Sequence, residues 1–111
     1  MGAEENAAQT AILQYLKLRG VFCWRSNNQG RYMPKIGKWI PTAGIKGVAD
    51  ILGVIGGGKN RGKFLAVEIK SAKGKLSVEQ EIFLAEIRAA GGVAFCARSV
   101  SDCEKELRGI L

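Results

Sequence analysis

Histidine is absent from the 111 residues. That absence removes Ser-His and Cys-His nucleophile pairs, zinc sites built on imidazole, and every nuclease that relies on a histidine base. Cysteine is scarce. Cys23, Cys96 and Cys103 form no C-x-x-C pair, and an odd number of thiols is poor material for a disulfide framework. Reduced thiols in a cytosolic protein are the expectation. No apolar run approaches the roughly 20 residues that a bilayer span needs, and Glu4 and Glu5 stand where a secretory signal would be basic. The chain reads as soluble and intracellular, without a membrane partner. Any catalysis must run on carboxylates, lysine and a hard cation.

Acidic residues are also in deficit. Seventeen Lys and Arg face ten Asp and Glu, a net charge of +7. A small domain this basic commonly meets a polyanion, with nucleic acid the first candidate and an acidic membrane surface the second. The plainer reading of the same charge is a solvated basic surface. The length suits one compact domain over residues 1–111 with a real core, and 47% hydrophobic against 24% charged residues fits a folded chain.

Residues 4–19 read as a helix ended by Gly20, with Ile12, Leu13 and Leu16 on its apolar face. Continuing that stripe toward the N-terminus reaches Gln9 and Glu5. "VFCWRS" (21–26) reads as a strand, and Asn27 to Gly47 as a basic excursion holding Tyr32 and Trp39, broken by Pro34 and Pro41, with room for a short hairpin. "VADILGVI" (48–55) is a buried strand. The Gly-rich loop "GGGKNRGK" (56–63) joins it to a strand over 64–70, which predicts an antiparallel pair. Ser77 and Gln80 form a capping-box signature for a helix bearing Phe83, Leu84 and Ile87, ended by Gly91 and Gly92. A short strand at 93–97 follows, and Ser101 with Glu104 repeats the capping pattern for a last helix. The order is α-β-β-β-α-β-α.

The chemistry is legible in "FLAVEIKSA" (64–72), where Glu68 and Lys70 end an apolar strand. Alternation puts Phe64, Ala66, Glu68 and Lys70 on one face, and Asp50, Leu52 and Val54 on one face of the preceding strand. Antiparallel pairing then sets Asp50 beside Glu68 and Lys70. Two adjacent carboxylates repel unless a cation neutralises them, and Mg²⁺ takes one or two carboxylates, water and a phosphate oxygen. A lysine at that point orients or deprotonates water, or stabilises developing charge. The same residues also suit an ordinary salt bridge of Lys70 with Glu68 or Asp50 at a strand edge.

Asp50 followed by Glu68-Ile69-Lys70 resembles the D…(D/E)-x-K signature of PD-(D/E)xK nucleases. "KGVADIL" and "VEIKSAKGKLSVEQ" resemble one branch, the virus-type replication-repair nuclease (VRR-NUC) domain, over nearly the whole chain. Ala49 stands where the superfamily's name has proline. The resemblance implies a restriction-endonuclease-like α/β core with a mixed central sheet flanked by helices. It implies metal-dependent phosphodiester hydrolysis with Mg²⁺ or Mn²⁺, Lys70 as the catalytic lysine, and Asp50, Glu68 and the Ile69 backbone carbonyl as metal ligands. Gln80 and Glu5 are carried over as further site residues, Glu5 reaching the metal through water. Each has a structural reading beside it: Gln80 as the third residue of its capping box, Glu5 as a charge matched to the helix dipole.

Gly57 to Lys63 fits the front of a phosphate-binding G-x-x-x-x-G-K loop, but Phe64 replaces the required Ser or Thr and a strand follows instead of a helix. A turn placing Lys59, Arg61 and Lys63 near DNA phosphates is the expectation there. Trp24, Tyr32 and Trp39 suit stacking on unpaired bases or packing in a core or dimer. A single small domain has little surface for reading DNA, which favours a homodimer whose interface includes the Tyr32 to Trp39 excursion. Similarity to archaeal Holliday-junction resolvases points by analogy to branched DNA such as four-way junctions. The alternatives are a non-catalytic nucleic-acid-binding module on the same basic surface, and a regulatory domain that keeps only the fold.

Overall fold

The computed structural model describes residues 2–26, 31–40 and 44–111. Asn27 to Gly30 and Pro41 to Ala43 of the basic excursion lie outside them. The elements run α1 (Ala3–Leu18), β1 (Val21–Arg25), β2 (Arg31–Met33), β3 (Lys38–Ile40), β4 (Ile51–Ile55), β5 (Phe64–Ile69), α2 (Val78–Ala89), β6 (Val93–Ala97) and α3 (Val100–Leu107). The expected seven elements are present, and the excursion adds the short hairpin β2–β3.

Four strands form one sheet in the order β1-β4-β5-β6, antiparallel except for the last pair. The mixture follows from the connections. A short loop can only return β5 beside β4 antiparallel, whereas α2 is long enough to carry the chain back across the sheet so that β6 runs parallel to β5. Each face is then covered. Ile12 and Leu16 of α1 and Cys103 and Leu107 of α3 pack on Val21, Cys23, Ile51, Val67 and Ile69. Phe83 and Leu84 of α2 pack on Ala49, Ala66 and Ala94. Burial on both sides makes Leu65 to Ile69 a continuous buried run rather than an alternating one. Ile12 and Leu16 are fully buried, worth about 1.5–3 kcal/mol each, and hold α1 to the sheet.

The helix ends match their chemistry, with one correction. Ser77 Oγ accepts from Gln80 N and Gln80 Oε1 accepts from Ser77 N, closing the capping box of α2. The cap of α3 is Ser99, not Ser101. Ser99 Oγ accepts from Asp102 N, and Asp102 Oδ2 accepts from Arg98 N, so the helix begins at Val100 and Ser101 lies inside it. The three cysteines are free thiols. Burial pushes the Cys103 thiol up to about 12, which leaves it inert at neutral pH.

Candidate active site

The β4–β5 hairpin creates the site at its open end. Ile51 pairs with Val67, so Asp50, one residue earlier, falls opposite Glu68. Asp50 is held there by the strand itself: its Oδ2 accepts from Ile69 N at 2.8 Å. Glu68 is buried among the core residues of β5, with 3% of its surface exposed.

Glu68 is incompletely satisfied. Its Oε1 accepts from Gln80 Nε2 at 3.1 Å and lies 3.9 Å from Lys70 Nζ. The second distance is too long for a hydrogen bond, so the expected Glu68–Lys70 ion pair exists only in loose form. Oε2 is buried with no hydrogen-bond partner. Burial, then the charge of Asp50, pushes the Glu68 carboxyl up to about 8, and Lys70 only partly opposes them. A buried carboxylate oxygen without a partner is costly. A bound cation would offset that cost, as would a proton shared with Asp50.

The donor set fits a hard divalent ion. Among the described residues no three His, Cys, Asp or Glu side chains gather closely enough to hold a metal by themselves. Two carboxylates with no imidazole, beside a Cys96 thiol that burial pushes up, suit Mg²⁺ or Mn²⁺, which fill their remaining positions with water, backbone carbonyl and substrate oxygens.

Gln80 combines both of its readings. Its Oε1 closes the capping box and its Nε2 holds Glu68. Gly47 seats the helix that carries it. With φ +76, Gly47 lies so close to the first turn of α2 that an added Cβ would stand 2.4 Å from the Glu79 carbonyl carbon and 2.7 Å from Gln80 N. Glu5 lies on α1, in the layer against Ile51, Val67 and Ile69, whereas Gln80 comes from the opposite layer. The structure therefore brings Asp50, Glu68, Lys70 and Gln80 together and keeps Glu5 outside the direct set.

Two residues at the rim carry no motif. Glu4 Oε1 accepts from Ala72 N at 3.2 Å, tying the start of α1 to the turn after Lys70. Arg98 Nη1 donates to the Ser71 carbonyl oxygen from the end of β6. Both clamp the turn that carries the exposed cations Lys73 and Lys75. Arg98 was findable in principle, because parallel β5 and β6 end side by side.

The loop Gly56 to Lys63 sits elsewhere. It closes the other end of the same hairpin, where Gly62 N donates to Ile55 O and Asn60 Nδ2 donates to the Ile110 carbonyl. The four strand steps between them put it about 14 Å along the strands from the carboxylates. Its visible role is a clasp on the C-terminus.

A four-stranded mixed sheet between helices, with two carboxylates and a lysine at the end of its central hairpin, defines a restriction-endonuclease-like fold. The family model for the VRR-NUC domain matches residues 3–101, and the chain belongs to that family. It is therefore a nuclease of the PD-(D/E)xK type. No curated protein matches the chain. Among the described residues no helix is long and apolar enough to cross a membrane.

Proposed function

We propose that this nuclease is a divalent-cation-dependent DNA endonuclease that works on Asp50, Glu68 and Lys70, with Gln80 and Glu5 in support. The reading rests on Glu68 Oε2, a buried oxygen without a partner beside a second carboxylate. Asp50, Glu68 and the Ile69 carbonyl would hold Mg²⁺ or Mn²⁺, with Glu5 reaching the ion through water. When bound, the ion supplies charge neutralisation and Lewis acidity at the scissile phosphate. Gln80 Nε2 fixes Glu68 through Oε1 and leaves Oε2 free for the ion. Lys70 Nζ orients the attacking water and counters the charge that builds on the phosphate oxygens. The water oxygen bonds to phosphorus and releases a proton to solvent, the bond from phosphorus to the departing oxygen breaks, and that oxygen takes up a proton from solvent.

The substrate reading is branched DNA cut by a homodimer. Among the described residues β1 is an open sheet edge. Its outer face carries Phe22, 73% exposed, and Trp24, 39% exposed, with rings 5.4 Å apart. A second copy pairing antiparallel along β1 would cover that patch and set two sites against two strands. β1 thus offers a surface for self-association in addition to the Tyr32 to Trp39 excursion.

The deciding experiment incubates duplex, flap and four-way-junction DNA with Mg²⁺, Mn²⁺ or EDTA. Cleavage only with the cations, greatest on the junction, is expected. Binding without cleavage under either ion would leave a nucleic-acid-binding module. Sedimentation at micromolar concentration tests the dimer; a strict monomer removes the junction reading and points to nicking or flap cleavage.

A further inference from the structure

The segment from Ser26 to Ala49 carries Arg31, Lys35, Lys38 and Lys46 and no acidic residue. It is rooted at the site. Ser26 N donates to the Asp50 carbonyl at 2.8 Å, and β2 begins five residues later. Five peptide steps span at most about 18 Å, so the hairpin starts within about five nucleotide steps of Asp50.

The hairpin displays what folded domains usually cover. Tyr32 pairs with Trp39 across its strands, their ring centroids 6.0 Å apart in an edge-on arrangement. Tyr32 is 49% and Trp39 68% exposed. The turn closes where Gly37 N donates to the Met33 carbonyl, leaving Ile36 exposed at the tip. A cross-strand aromatic pair stiffens a two-stranded ribbon, yet here both rings stay largely exposed in a stretch that also carries Lys35 and Lys38.

A flat aromatic face on a segment that carries cations and no carboxylate of its own has a chemical complement in unpaired nucleotides. They offer a free π-face and a phosphate for each base, whereas paired bases inside a duplex are already stacked on one another. A second copy of the chain is the poorer occupant, since a two-fold axis would bring four more cations against these four. We propose that the hairpin Arg31–Ile40 is an arm that stacks Tyr32 and Trp39 on unpaired nucleotides beside the scissile phosphate, such as those exposed where a branch point opens. The inference builds on the endonuclease reading by naming the part of the substrate that the arm holds.

The test is binding in EDTA, without cleavage. Anisotropy compares a blunt duplex with the same duplex carrying a single-stranded tail that contains 2-aminopurine. The full-length protein should prefer the tailed probe and quench its 2-aminopurine emission. Tyr32→Ala/Trp39→Ala should lose roughly fivefold to a hundredfold on the tailed probe and less than about twofold on the blunt one. Trp39→Phe should keep most of the preference; Trp39→Leu, apolar but without a ring, should lose it. Equal behaviour of the Phe and Leu variants, or equal losses on both probes, overturns the proposal. Equal losses together with a changed oligomeric state assign the rings to a protein contact and overturn it too. An inactive enzyme that still discriminates the probes would count against the nuclease chemistry alone.

Discussion

Replacing Glu68 by Gln should make the cation-free protein more stable at pH 8 and leave it nearly unchanged at pH 4.5. Glu68 is pushed up to about 8 by burial and by Asp50, above its ordinary value in the unfolded chain. The folded state therefore binds the Glu68 proton more tightly than the unfolded state does. Its contribution is complete below about pH 4.5 and is lost as pH rises toward about 8. One proton gives at most about 1.4 kcal/mol per pH unit, so the window amounts to at most about 5 kcal/mol. That is a large share of the ~5–15 kcal/mol that holds a small domain folded. Gln is uncharged, matches Glu in shape, and its amide oxygen can still accept from Gln80 Nε2. Urea unfolding of both proteins in EDTA across this pH range reads the difference directly. The curves should diverge with rising pH, and saturating Mg²⁺ should restore the wild type at pH 8 without helping the variant. A gap that stays flat with pH would refute the reasoning, because it would mean that Lys70 already neutralises an ionised Glu68.

Asp50→Ala and Lys70→Ala should each abolish cleavage while DNA affinity in EDTA stays within about threefold, since phosphate contacts carry most of the binding; wild-type cleavage by Asp50→Ala rules out the site. Gly47→Ala should cost about 2–4 kcal/mol by thermal unfolding, through the positive φ and the collision with the first turn of α2. It should also slow cleavage by displacing Gln80, and an unchanged melting temperature would show that the close approach is relaxed. Lys73→Gln/Lys75→Gln should lower the salt dependence of DNA binding by about two counterions. Lys59→Gln/Arg61→Gln/Lys63→Gln, at the far end of the hairpin, should barely change it, and the reverse ranking would move the DNA track to that loop.

The core of the site is legible in the sequence because it depends on local rules alone. Period-two alternation and a short Gly-rich loop suffice to set Asp50 beside Glu68 and Lys70. The capping box of α2 is likewise visible in four consecutive residues. Long-range choices are hidden. Glu4 meets Ala72 across 68 residues, and no spacing rule announces it. Ser99 and Ser101 compete for the same cap, and the contest is settled by Asp102, which also accepts from Arg98 N at the end of β6. The rings of Tyr32 and Trp39 look equally suited to a core in sequence; only the fold leaves them uncovered. The loop after β4 is a different case. Its lysines suggest DNA by composition, while the hairpin topology puts them at the end away from the carboxylates.

The Gln80 amide has a consequence for which substitutions the chain can accept. One end of it closes the first turn of a helix and the other holds the buried Glu68 carboxyl, so helix capping and the proposed site share a single planar group. Its oxygen and nitrogen cannot exchange places without two donors meeting at Ser77 and two acceptors at Glu68. Glutamate would satisfy the helix and set a third negative charge against the carboxylates. Leucine would keep the length and abandon both partners. Only an uncharged side chain that accepts with one tip and donates with the other serves both, so any change that tunes catalysis through this residue also tunes the stability of α2.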